Sequence, residues 1–198
     1  PRLSANSSTS ANVRLNYTDS AVFVKKAASE SEVRLKKTIV LDAMGSDNRP
    51  FPEVEAAVTA SKEFGINLIL VGDEVQLTSE LKKLNQDLSG VRVVHAPEWL
   101  EMSDHIQEAR AKKQNTMVVG MQLVKDGEAQ AFVTAGNTGM AMYFGTKMFG
   151  LIPGLNRPCL GSTIPVKGGK SVLVDIGANA DCRPEFLVQF AQMGAVYS

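Results

Sequence analysis

From Thr38 onward, short apolar runs alternate with stretches of helical spacing, and this alternation restricts the fold more than any other feature. Thr38-Ile39-Val40-Leu41, Asn67 to Val71, Val91 to His95, Ala131 to Thr134 and Ser171 to Ile176 read as strands. Pro52 to Phe64, Glu74 to Leu84, Asp104 to Lys113, Met117 to Lys125, Thr138 to Phe149 and Pro184 to Met193 read as helices. An apolar run without alternation belongs to a strand covered on both faces. Strands alternating with helices predict βαβ units, hence an α/β protein with three α/β/α layers around a mostly parallel sheet.

Composition excludes several function classes. The 198 residues carry 21 basic and 21 acidic side chains. That balance lacks the basic excess with which nucleic-acid binders displace counterions, so no nucleic-acid partner is expected. Two cysteines, Cys159 and Cys182, and two histidines, His95 and His105, are too few for a disulfide framework or a Cys/His-rich metal site. Uninterrupted apolar runs fall far short of the roughly 20 residues of a membrane-spanning helix. A soluble, intracellular protein is expected.

The charge is unevenly spread. Residues 1–37 hold seven basic and three acidic groups and are rich in Ser, Thr and Asn. They read as a disordered leader or linker. Arg2, Arg14 and the late first acid, Asp19, also give this segment a weak likeness to an organelle transit peptide. Residues 38–198 read as one α/β domain. The chain stops at Ser198 directly after an apolar stretch, which reads as a piece of a longer protein.

Ligands of parallel α/β sheets bind where strands end and helices begin, because helix N-termini offer unpaired N–H groups to anions. Three strand ends have suitable residues. Loop one runs from Asp42 through Ala43-Met44-Gly45-Ser46-Asp47-Asn48-Arg49. Gly45 permits close backbone approach, Ser46 can donate a hydrogen bond and Arg49 can pair with an anion; equally, the aspartates could simply cap the next helix. Loop two is Thr134-Ala135-Gly136-Asn137-Thr138-Gly139. Gly136 and Gly139 allow a tight fold around a small anion, and Asn137 and Thr138 supply donors. Loop three is Asp175-Ile176-Gly177-Ala178-Asn179-Ala180-Asp181, followed by Cys182-Arg183-Pro184, and repeats that recipe around Gly177 and Asn179. His105 reads as a surface residue at a helix start, Cys182 as an unactivated thiol, and Met140, Met142 and Met148 as packing.

Together these residues are familiar. Leu41-Asp42-Ala43-Met44-Gly45-Ser46-Asp47 resembles the opening of the PlsX-type phosphate acyltransferases of fatty-acid and phospholipid synthesis. Val71-Gly72-Asp73, Thr134 to Gly139, Val174 to Asp181 and Gln189 to Gly194 resemble further family motifs in the same order. Ser46 stands where the family often has a second glycine. The resemblance covers about Thr38 to Ser198. It implies an isopropylmalate dehydrogenase/phosphotransacetylase-like fold and the N-terminal part of an enzyme that makes acyl-phosphate from acyl-acyl-carrier-protein and inorganic phosphate. A homodimer loosely attached to the cytoplasmic membrane is implied too, as is inactivity of this part alone. On this reading Asn137, Asn179 and Asp181 are catalytic. Gly45, Ser46, Gly136, Thr138, Gly139, Asp175 and Gly177 bind substrate or phosphate. No metal, cofactor or covalent nucleophile is required. A phosphotransacetylase-like enzyme using acyl-coenzyme A, or a non-catalytic binding module, are the alternatives.

Overall fold

The computed structural model describes residues 36–198. The leader reading of residues 1–37 therefore lies, apart from Lys36 and Lys37, outside the described residues. Four parallel strands form the centre: β1 (Thr38–Asp42), β2 (Asn67–Gly72), β3 (Val91–His95) and β4 (Ala131–Val133). Their spatial order is β3-β2-β1-β4, with Val40 opposite both Ile69 and Phe132. The mostly parallel sheet expected from the alternation is present.

Both faces of that sheet are covered, which is why β2 reads as a continuous apolar run. Leu68 and Leu70 point to one face, where they meet Val54, Ala57 and Val58 of α1 (Phe51–Phe64) and Leu77 and Leu81 of α2 (Glu74–Lys83). Ile69 and Val71 point the other way with Val40, against Val119 and Leu123 of α4 (Thr116–Lys125). Outside α4 lies α5 (Thr138–Phe149), joined to it by Met117, Met121, Met140 and Phe144. The methionine-rich stretch thus packs through Met140.

Local chemistry sets the helix ends. A short helix, α3 (Ile106–Ala111), begins two residues later than expected, because Glu108 accepts the His105 N–H at 2.9 Å and holds His105 as the extended cap. At α2, the Asp73 carboxylate accepts the Gln76 N–H at 2.9 Å. That bond, more than any other contact, holds the Asp73 carboxyl below its ordinary range. Replacing Asp73 by Ala is expected to cost about 1 kcal/mol. Since the folded carboxyl is the stronger acid, this contribution is present at neutral pH and is lost as pH falls below about 4. Urea midpoints of wild type and Asp73→Ala should therefore separate at neutral pH and converge in acid.

The last third of the chain corrects one expectation. The strand placed at 171–176 is β6 (Gly169–Val174), and it pairs antiparallel with β5 (Gly161–Val166) in a separate two-stranded hairpin. Two residues, Lys167 and Gly168, make the turn, and Gly168, at the second turn position, supplies the positive φ (87°) that a type II turn requires there. The helix α6 (Pro184–Tyr197) packs on the hairpin through buried Phe190, and a Cβ at Gly194 would stand 3.4 Å from Val174.

Candidate functional site

The chain order of the sheet creates a crevice. From β1 the chain steps outward through β2 to β3, then returns to place β4 on the opposite side of β1. Loop one therefore leaves β1 toward α1 on one face, while loop two leaves β4 toward α5, which lies on the other. This divergence is the topological switch point at which open α/β sheets bind their ligands.

The two loops touch. A Cβ added to Gly45 would lie 2.9 Å from the Gly136 nitrogen, 2.9 Å from Thr134 Oγ1 and 3.0 Å from Asp42 Oδ2. Only glycine permits that approach. Beneath it runs a chain of hydrogen bonds. The Gly136 N–H donates to Thr134 Oγ1 at 3.0 Å, and that hydroxyl donates onward to Asp42 Oδ2 at 2.8 Å. Asp42 Oδ1 accepts the Met44 N–H at 3.1 Å. Asp42 is 1% exposed. Burial pushes its carboxyl up from the ordinary aspartate range, hydrogen bonds from Thr134, Thr116 and Met44 pull it back in part, and the neighbouring Glu53 carboxylate adds to the rise. Strand parity explains the burial: Asp42 is two residues beyond Val40 and points to the same covered face.

A third loop closes the crevice. The Arg49 guanidinium, expected to be free for an anion, instead donates to Glu101 Oε1 at 2.6 Å and lies 5.6 Å from the Trp99 ring centroid. Trp99 Nε1 donates to the same carboxylate oxygen at 3.0 Å. The segment after β3 is thereby tied to loop one. It is tied to loop two as well, since Asn137 Nδ2 donates to the Met102 carbonyl at 3.0 Å.

The expected site residues divide by what they have left to offer. Asn137 has both ends engaged, for its Oδ1 caps α5 by accepting the Met140 N–H at 3.1 Å. Gly136 has given its N–H to Thr134. Among the described residues the Thr138 N–H, the Thr138 hydroxyl and the Gly139 N–H have no partner, and both residues are exposed at the first turn of α5. They are the open donors of the crevice. Within loop one, Ser46 Oγ is buried without a hydrogen-bond partner, as is Glu53 Oε2 in the first turn of α1. Glu53 occupies the helix position whose carboxylate usually reaches back to the cap N–H, but the cap here is Pro50, which has none.

Loop three is built around its own carboxylate. Asp175 Oδ1 accepts the Leu160 N–H at 2.7 Å, and Oδ2 accepts the Asn179 N–H at 2.8 Å and Asn179 Nδ2 at 3.1 Å. Burial pushes the Asp175 carboxyl up, but these bonds outweigh it and hold the group below its ordinary range. Asn179 also donates to the Pro158 carbonyl at 3.1 Å. Gly177 adopts φ 102°, and Asp181 is exposed. No hydrogen bond among the described residues joins loop three to loops one or two. Asp42 and Thr134 are the residues that sequence reasoning left without a role; the signal was an acid ending an apolar run.

These features define a class, the doubly wound α/β proteins, with loops one and two meeting at the switch point. The chain belongs to the family described as fatty acid synthesis protein, whose model matches residues 37–198. A phosphate acyltransferase of Herpetosiphon aurantiacus is 46% identical over 161 residues, covering 81% of this chain and 44% of the relative. A phosphate acyltransferase of Clostridioides difficile is 45% identical over 162 residues, covering 81% and 48%. The chain thus spans a little less than half the length of these curated relatives. Among solved structures, the EutD phosphotransacetylase from Staphylococcus aureus superposes with a TM-score of 0.58 at 22% identity, over 79% of this chain and 51% of that one. The phosphotransacetylase-like fold expected from the motifs is confirmed by that match. No helix among the described residues is long and apolar enough to cross a membrane.

Proposed function

We propose that residues 38–198 form the N-terminal part of an enzyme that transfers an acyl group from acyl carrier protein to inorganic phosphate, giving acyl-phosphate and the free carrier. The observation that carries this reading is the unpartnered set of donors on Thr138 and Gly139, at a helix N-terminus facing the switch-point crevice. Such a group suits an oxyanion, because backbone N–H dipoles are fixed in place and need no reorganisation. The relatives' names point the same way. In the reaction a phosphate oxygen attacks the thioester carbonyl carbon, an oxyanion develops on the carbonyl oxygen, and the carbon–sulfur bond breaks to release the carrier thiolate, which takes up a proton. Phosphate held at the start of α5 is oriented for attack, and orientation supplies much of the rate.

In this reading Asn137 and Asn179 work by fixing the loops, and Asp175 organises loop three. A homodimer loosely bound at the cytoplasmic membrane surface accords with the family. Acyl-phosphate formation by the full-length gene product, with acyl-acyl-carrier-protein and acyl-coenzyme A as alternative donors, tests the assignment. Phosphate-dependent release of free carrier protein is the expected result. No phosphate dependence with either donor would refute it, and a strict preference for coenzyme A would replace it with a phosphotransacetylase reaction.

A further inference from the structure

Away from the crevice, beside loop three, lies an open cavity of about 400 Å³ lined by Arg157, Asp181, Cys182, Arg183 and Phe186. Its volume is within the range of small-molecule sites and larger than a lone phosphate ion fills. Two features prepare it. The segment carrying Arg157 is pinned to α6, since the Asn156 N–H donates to Gln189 Oε1 at 2.9 Å and Gln189 Nε2 donates to the Gly154 carbonyl at 3.4 Å. The Arg157 guanidinium then lies 5.6 Å from the Phe186 ring centroid, within cation–π range.

One of the two arginines has no carboxylate partner among the described residues, and the other has a long one: Arg157 has no ion pair, and Arg183 reaches only Glu185, at 3.9 Å. Asp181 lines the same cavity without pairing to either. The lining carries two guanidiniums and one carboxylate, and Glu185 beside Arg183 brings the cluster close to neutral. So little net charge suits a phosphodiester, which is only ever singly charged, whereas free phosphate near neutral pH is a mixture of singly and doubly charged forms. The Phe186 ring and the Cys182 thiol add an apolar wall that a free ion would not use.

We propose that this cavity binds the phosphodiester of a pantetheine arm, the link by which a carrier protein holds its thioester, with Arg157 and Arg183 on the phosphate oxygens. The inference rests on the function proposed above, because it supplies the carrier end of that thioester with a place to dock. Guanidinium forks match phosphate oxygens and give direction as well as charge.

Cys182 stands in the cavity and reports its occupancy. Its alkylation by iodoacetamide, mapped by mass spectrometry in the 198-residue chain, is compared with three probes present: S-methyl-pantetheine 4′-methylphosphate, phosphate-free S-methyl-pantetheine, and inorganic phosphate. Cys159 is the internal control, since burial, with Asp175 nearby, pushes its thiol up. The diester should slow Cys182 saturably, about tenfold at ten times its dissociation constant, and the other two probes should not. Arg157→Gln should weaken that protection about tenfold or more, with an unchanged circular-dichroism spectrum and melting temperature as proof of an intact fold. Equal protection by the phosphate-free arm, equal protection by inorganic phosphate, or none by any probe overturns the site, and the wild-type titration alone decides this. No acyl transfer is involved, so an enzyme that failed to make acyl-phosphate would not alter the result.

Discussion

Asp42→Ala is expected to destabilise the fold by about 3 kcal/mol or more and to separate loop one from loop two. The side chain accepts from the Met44 N–H and the Thr134 hydroxyl, with Thr116 also bonded to it. Each buried donor left without an acceptor costs roughly 1–3 kcal/mol. The damage spreads because Thr134 also accepts the Gly136 N–H, so the bond that shapes loop two loses its anchor. Asp42→Asn keeps one acceptor but turns an amide donor toward the remaining donors, and should give an intermediate loss. The pH dependence has a definite sign. Burial raises this carboxyl, so the folded state binds its proton more tightly than the unfolded chain does. The stability it gives to wild type therefore declines as pH rises through the aspartate range to the raised value. The gap between wild type and Asp42→Ala should be widest below that window and narrower at neutral pH. Urea denaturation of both proteins across pH measures it; a gap below about 1 kcal/mol, or one that widens with pH, would show that Asp42 is not the anchor.

The parallel sheet was legible because its strands are unusual locally. β2 runs Leu68-Ile69-Leu70-Val71 without a polar break, a pattern that burial on both faces requires. The hairpin was not legible in the same way. β5 is largely exposed and contains Ser162, Thr163 and Pro165, so it offers neither an apolar run nor clean alternation. Its visible signal was the Gly168-Gly169 pair, where two extended segments turn back, and reading it would have moved the start of β6 from Ser171 to Gly169. The loops were legible as places but not as inventories of free groups. Composition shows that Gly136, Asn137 and Asn179 can donate; only the folded chain shows that Thr134, Met102, Pro158 and Asp175 have already taken those donors. A side chain rich in hydrogen-bonding capacity satisfies its own loop first, since leaving a neighbouring polar group unpaired is costly. What remains for a ligand is the backbone that geometry leaves over, at the first turn of α5.

That remainder can be tested one N–H at a time. Gly139→Pro in the full-length enzyme is expected to lower phosphate-dependent turnover roughly a hundredfold or more, the usual loss when one oxyanion donor is removed. Proline deletes the Gly139 N–H and is tolerated in a first helical turn, where no intrahelical bond is lost. This chain already places Pro52 at the corresponding position of α1, the second residue of that helix. The matched control is Gly139→Ala, which keeps the N–H. In either variant the new Cβ meets Asn137 Oδ1 at 3.3 Å, a close contact with the capping side chain. Any effect of crowding the cap is therefore common to both, and the difference between them isolates the missing donor. Gly139→Ala should stay within a few-fold of wild type, while both variants keep similar melting temperatures. If Gly139→Pro turned over as fast as Gly139→Ala, the start of α5 would not hold the reacting anion, and the crevice would have to bind it through Ser46 and loop one instead.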